Sequence, residues 1–315
     1  MRADLHVHSR YSVARHYARA GLSDSYDAPG RIYDSARAAG MDLVTLTDLD
    51  TIEGCQRLID ERRDPADFIV GEEVEASIPG SRLKAHVCVW GITESHHAEI
   101  RRAKEDIEIL AAYLRASGIA CAFSHFVGDL PVDIPSSGIY WRVLGLFDAM
   151  EVRNGSQGRH YNALVWALAS GEAARRPPIG FVGGSDAHTL RRVGTTWTEA
   201  ECSSRDEFVD AIRSGRTAAG GRVRGASDIV LDLGALTYSH YASLPERFRR
   251  RERGLLRAAA AVPLQALGAP LVGTVVYFVR VRRQVLALQR EIAALDLHDF
   301  RKRMRSYPRS ALDTE

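Results

Sequence analysis

The stretch Asp4-Leu5-His6-Val7-His8-Ser9 opens the chain with a short strand that ends in two histidines. Alternate residues of a strand face the same side, so the imidazoles of His6 and His8 can reach one point in space. A His-x-His pair alone says little. Its weight depends on whether other strands end in the same kind of residue.

They do. Reading outward, apolar runs suited to strands lie at Ala3–His8, Leu43–Thr47, Phe68–Val74, His86–Trp90, Ile119–Phe123, Ala149–Val152 and Ile179–Val182. Between them, apolar spacing and caps predict helices at Pro29–Ala39, Ile52–Arg63, His97–Ser117, Tyr161–Gly171 and Ser204–Ser214. Ser204 and Glu207 form an S-x-x-E capping box, and Gly40, Gly118, Gly171 and Gly215 stand where helices are expected to end. Alternating strand and helix units predict a parallel sheet, and seven of them predict a closed or nearly closed α/β barrel. The strands carry chemically capable residues: His6 and His8, Asp48, Glu73, His86 at the start of its strand, and His125. The sixth ends in Glu151, Arg153 and Asn154, and the seventh in Asp186 and His188. One face of such a barrel gathers the C-terminal strand ends and holds the active site, so these residues are expected to converge. Imidazoles mixed with carboxylates suit zinc, manganese or iron.

The bulk numbers fit this reading. A chain of 315 residues is long enough for one large barrel plus an appendage. Its 45% hydrophobic and 26% charged residues are ordinary for a globular protein. A formal charge of +2 excludes a strong overall attraction to nucleic acid. Cys55, Cys88, Cys121 and Cys202 form no C-x-x-C pair, which leaves neither zinc-finger spacing nor a disulfide framework. Met1-Arg2-Ala3-Asp4 begins no apolar signal core, so a cytoplasmic location is expected. P-loop, G-x-S-x-G and Rossmann glycine patterns are absent.

With these residues in view, residues 3–222 resemble the PHP (polymerase and histidinol phosphatase) family. The resemblance is carried by Asp4-Leu5-His6-Val7-His8-Ser9, Leu46-Thr47-Asp48, Gly71-Glu72-Glu73-Val74, His86-Val87, Ser124-His125 and Gly184-Ser185-Asp186-Ala187-His188. Residues 206–216 are similar to the family's closing helix. The resemblance implies a distorted (βα)7 barrel, two or three divalent ions and phosphoester hydrolysis. It implies that His6, His8, Glu73 and Asp186 hold a first ion. Glu73 would bridge to a second ion held by His86 and His125, and His188 would belong to a third site. Glu72 competes with Glu73 for the bridge; the family carboxylate sits two residues after a glycine, here Gly71, which favours Glu73.

The chain departs from the family at two positions of the third site. Leu49 stands where a histidine usually follows the Thr-Asp pair, and Val13 where an Asp or His often follows the first-loop serine. Neither side chain ligates a metal, and His16 and Asp50 read as solvated or supporting groups. Two ions are therefore expected rather than three. The expected function is a phosphatase or related phosphoesterase acting on a small phosphorylated metabolite or nucleotide. The alternatives are a nuclease acting on nucleic-acid ends and a catalytically degenerate binding barrel. Asp186 and His188 are the expected catalytic residues, with Arg153 as a phosphate clamp and Arg191 and Arg192 as its rivals.

Residues 1–225 read as the barrel and residues 226–315 as a basic, partly apolar helical extension. Glu246–Arg257 holds six arginines, and Ala258–Val279 runs for 22 residues without a charge. That run suits a buried helical pair, a membrane span or a membrane-surface segment, the last through residues 246–283. Val281, Val285, Leu288, Ile292 and Leu295 form a short heptad stripe, for packing within the chain or for an oligomer. The flanking arginines leave contact with nucleic acid open.

Overall fold

Apolar runs become strands here because they meet one another edge to edge around a closed interior. The computed structural model describes residues 1–12, 23–127, 137–175 and 179–249, with isolated positions between 279 and 290. Among these, the strands are β1 (Arg2–Asp4), β2 (Leu43–Leu46), β3 (Phe68–Ser77), β4 (Lys84–Trp90), β5 (Ala120–Val127), β6 (Ala149–Asn154), β7 (Gly180–Gly184), β8 (Thr196–Glu199) and β9 (Ala218–Gly221). They form one sheet in the order β7-β6-β5-β4-β3-β2-β1-β8-β9. Its ends approach each other: Gly183 N donates to Thr198 Oγ1 at 2.8 Å, and Val7 bridges Ala187. The result is a distorted, nearly closed α/β barrel.

The helices are α1 (Pro29–Ala38), α2 (Glu53–Arg62), α3 (Glu94–Ala103), α4 (Ile107–Ala116), α5 (Ser137–Leu144), α6 (Arg159–Arg175), α7 (Arg205–Arg213) and α8 (Ala226–Arg249). Three expectations need correction. The helix expected over His97–Ser117 is two helices, because Asp106 caps a new one by accepting from Glu108 N at 2.8 Å. Gly171 does not end a helix; α6 runs through it. Glu207 bonds Ser203 N at 2.8 Å rather than closing the box on Ser204, although Ser204 does cap α7.

The sheet is mixed rather than parallel. β4 runs antiparallel to both β3 and β5. No helix separates β3 from β4, and a short reverse connection can only make an antiparallel pair. This explains why His86 lies near the start of its strand rather than its end: the start of β4 lies at the same end of the barrel as the end of β3, with Glu75 opposite His86.

One apolar cluster draws on each of the first seven strands: Ala3, Leu43, Ile69, Trp90, Ala120, Ala149 and Val182. Phe208, Ala211 and Ile212 of α7 pack into the same cluster, so α7 covers the end of the barrel opposite the histidines. On β3 the buried residues Ile69 and Glu73 share one face by alternation, which places apolar packing low in the barrel and charge high. A second, larger cluster lies between the sheet and the helices, with Leu46, Phe68, Val87, Leu110, Phe147 and Leu164. Among the described residues no helix is long and apolar enough to cross a membrane. The run 258–278 and the heptad positions Val281, Val285, Leu288, Ile292 and Leu295 lie outside the described residues.

Candidate metal centre

The loop after β1 is tied to the loop after β7. His8 N donates to Ala187 O at 3.0 Å and Ala187 N to His6 O at 3.3 Å. This short parallel contact aims Asp186 at the two imidazoles. Asp186 Oδ1 lies 3.2 Å from His8 Nε2 and 3.7 Å from His6 Nε2. The Asp186 backbone takes φ = 51°, a left-handed conformation that non-glycine residues adopt at a cost and that recurs at functional sites.

Glu73 sits at the middle. Its Oε1 is 3.2 Å from His6 Nε2, 2.6 Å from His86 Nδ1 and 3.3 Å from His125 Nε2, and its Oε2 is 3.5 Å from His8 Nε2. Glu72 projects to the other face of β3, where its Oε2 meets His97 Nδ1 at 2.8 Å. The pleat of the strand thus separates the two rival carboxylates.

The residues fit a metal centre on three observations. First, two donor sets each converge to within 4.8 Å: His6 with His8 and Asp186, and His6 with Glu73 and His125. Second, the Nε2 atoms of His6 and His125 are buried without a hydrogen bond; His6 Nε2 stands 3.2 Å from Glu73 but outside bonding geometry. Third, the far ring nitrogens are held. His6 Nδ1 is 2.9 Å from Glu151 Oε1, and His8 Nδ1 is 3.1 Å from Ser12 Oγ, whose hydroxyl donates to Asp24 Oδ2 at 3.2 Å. With Nδ1–H donating outward, each Nε2 keeps its lone pair for the centre. His86 differs, meeting Glu73 through Nδ1 with Nε2 3.9 Å from Glu75 Oε2.

Electrostatics follow from this crowding. Burial works against the charge on Glu73, yet His86 and His6 outweigh it and hold the carboxyl well below the usual range. Asp186 is likewise held low, by His6 and His8 against burial. Burial and the neighbouring His8 push His188 down, which favours its neutral imidazole.

A family model described as PHP-associated matches residues 168–217. An uncharacterized protein of Methanocaldococcus jannaschii is 31% identical over 139 residues, spanning 42% of this chain and 78% of the relative. The chain belongs to the PHP family. Two solved structures are also similar to this PHP chain. An amidohydrolase from Chromobacterium violaceum, with bound sulfate and no metal, is 17% identical over 67% of this chain and 96% of its own, at a TM-score of 0.44. A protein named as a metal-dependent phosphoesterase, from Bifidobacterium adolescentis, is 18% identical over 67% of this chain and 94% of its own, at 0.40. The assignment to the PHP family rests on the sequence matches.

The remaining PHP positions fall as follows. His188 borders the centre, its ring 4.5 Å from that of His8 and its Nδ1 2.9 Å from Asp186 O. Asp48 accepts from Ser9 N at 2.5 Å and Ser9 Oγ at 2.7 Å, which fixes the loop behind His8. Leu49 is half-buried and its N donates to Ser12 Oγ at 3.2 Å. Asp50 pairs with Lys104 at 2.5 Å. Val13 and His16 lie outside the described residues. The three candidate phosphate clamps are engaged elsewhere: Arg153 Nη1 donates to Gly221 O at 2.5 Å, Arg192 Nη2 to Gly155 O, and Arg191 pairs with Asp228 and Asp232.

Sequence reasoning placed Glu151 and Asn154 at a strand end but gave them no role. Asn154 Nδ2 donates to Glu151 Oε2 at 2.9 Å and to Asp186 Oδ2 at 3.3 Å, so it links a supporting carboxylate to a candidate ligand. Asp24 was missed outright. It lies in a loop with no periodic signal, and only the fold brings it to Ser12.

Proposed function

We propose that this chain is a metal-dependent hydrolase of phosphoesters, acting on a small phosphorylated metabolite or nucleotide. The observation that carries the reading is the pair of buried donor sets that share His6, with Glu73 central. His6, His8, Glu73 and Asp186 would hold one divalent ion of the zinc, manganese or iron class, and Glu73 with His125 and His86 a second. When bound, such ions supply a low-pKa water and offset negative charge on a phosphoryl group.

The protein's own groups have distinct tasks. Glu151 and Ser12 keep His6 and His8 in the tautomer that presents Nε2 inward. Asn154 holds the Asp186 carboxylate against rotation. His188 has its Nδ1 at the Asp186 carbonyl, so its Nε2 is the nitrogen left for a ligand or a proton, and its side chain is 32% exposed. That position suits a group at the substrate-facing rim.

The test is a metal-loaded screen of phosphomonoesters and short oligonucleotides with the full chain and with His8→Ala. The expected result is turnover of at least one phosphoester, lost together with bound metal in His8→Ala. Less than about one ion per chain, with no hydrolysis after manganese loading, would sink the reading.

A further inference from the structure

Along β3 and β4 the residues that face the barrel interior pair in rungs. Gly71 pairs with Trp90, Glu73 with Cys88, Glu75 with His86, and Ser77 with Lys84. Alternate residues of a strand share a face, so Lys84 lies on the same side as His86, Cys88 and Trp90. Ile78 and Leu83 turn the other way, into the cluster between sheet and helices. Lys84 Nζ donates to Ser77 Oγ at 2.5 Å, which agrees with a shared face. The rungs run in order from the apolar floor, through Glu73 and His86 of the candidate centre, to the open end. Ser77 and Lys84 form the rung beyond His86, about 7 Å further along the strand.

Lys84 is half-buried, and among the described residues it makes no ion pair. The acid one rung below, Glu75, has its Oε2 3.9 Å from His86 Nε2 rather than in an ion pair with Lys84. Other cations have such partners: Lys104 is held by Asp50 at 2.5 Å, and Arg191 by Asp228 and Asp232. Arg153 and Arg192 donate to the carbonyls of Gly221 and Gly155. An ammonium bonded to one neutral hydroxyl keeps its charge and two of its three donors for a ligand.

We propose that Lys84 is a specificity residue that binds a second anionic group, a carboxylate or a phosphate, on a substrate whose phosphoryl group occupies the candidate metal centre. The inference rests on the phosphoester reading and narrows it. The favoured substrates carry a negative group on the order of 7 Å from the reacting phosphorus, the spacing of one rung. A lysine ammonium is a point charge with rotatable donors, so it takes either kind of anion, and the bond is charge-assisted on both sides. Lys84 is remote from the reacting atoms. Its contact is made equally before and during the reaction, so it acts on binding rather than on the chemical step.

The test uses two non-hydrolysable probes that differ in one charge, para-carboxybenzylphosphonate and its neutral para-carbamoyl isostere. Calorimetry measures the binding of each to the manganese-loaded full chain, to Lys84→Met and to Lys84→Arg. The native chain is expected to bind the carboxylate at least about tenfold more tightly than the amide. In Lys84→Met that ratio falls to about one while the amide binds as it does to the native chain, and Lys84→Arg keeps most of the preference. Binding of para-xylylene bisphosphonate more tightly than the carboxylate would assign a second phosphate; weaker binding would assign a carboxylate. Equal binding of carboxylate and amide by the native chain overturns the role of Lys84 and leaves the phosphoester reading standing, as does a preference that survives in Lys84→Met. Loss of the amide in both variants makes Lys84 a structural residue and also overturns the role. If neither carboxylate nor amide binds the loaded native chain, the phosphoester reading falls and this inference with it.

Discussion

Glu151 Oε1 lies 2.9 Å from His6 Nδ1, across the ring from Glu73, which stands 3.2 Å from His6 Nε2. One imidazole is thus held between two carboxylates, one behind it and one in the candidate centre. The rear contact fixes both ring orientation and tautomer. Glu151→Ala is expected to weaken metal binding about 10–100-fold, with Glu151→Gln intermediate because its amide oxygen still accepts from Nδ1–H. Metal titration of the stripped protein checks this. Equal affinities in all three proteins would remove Glu151 from the centre.

Ligation competes with protons. Burial disfavours the His86 imidazolium, but the Glu73 carboxylate 2.6 Å away outweighs it and raises the group from 6.5 to about 10. A raised histidine stabilises the metal-free fold fully below about 6.5 and loses that contribution as pH climbs to about 10. Metal affinity is expected to run the other way, rising up to about tenfold per pH unit for each proton displaced per ion. Calorimetry at one pH in two buffers of different ionisation enthalpy measures the proton release. Identical heats would exclude it.

Gly184 permits the close approach of β7 to the first loop. A Cβ there would lie 2.7 Å from His6 N and would overlap His6 Cβ. Gly184→Ala is expected to destabilise the fold by about 1–3 kcal/mol and to displace His6, lowering metal content in the folded fraction. Denaturant unfolding and metal analysis report the two effects. Unchanged stability and metal content would contradict the tight contact.

Leu49 lies beside the loop that carries Ser12, and Ser12 Oγ reaches both Leu49 N and His8 Nδ1. Leu49→His is expected to increase bound metal per chain, by adding an imidazole next to His8 and His188. Elemental analysis after manganese loading checks this. No increase would mean that the third site lacks more than this one ligand.

Much of the candidate centre was legible because each candidate ligand ends or begins an apolar run. His6, His8, Glu73, His86, His125 and Asp186 stand out by type and by position along strands. The choice of Glu73 over Glu72 needed the pleat of β3, which sends one carboxylate inward and the other to His97. β8, β9 and the antiparallel course of β4 were not legible. Four-residue strands carry little periodic signal, and strand direction depends on what lies beside a strand in space.

The arginines mark the boundary most clearly. Arg153 stands at the end of the sixth strand, Arg191 and Arg192 follow Asp186 and His188, and by position any of them suits a phosphate clamp. Their use is decided by distant partners: Gly221 for Arg153, Gly155 for Arg192, and α8 for Arg191. The sequence by itself determined the barrel class and the candidate donor set, because periodicity and residue chemistry are local properties. Only the tertiary structure decided which donors meet, which carboxylates stand behind them and where the arginines point. Those are contacts between segments far apart in the chain, such as Asp186 with His8 and Glu151 with His6, and chain closure alone creates them.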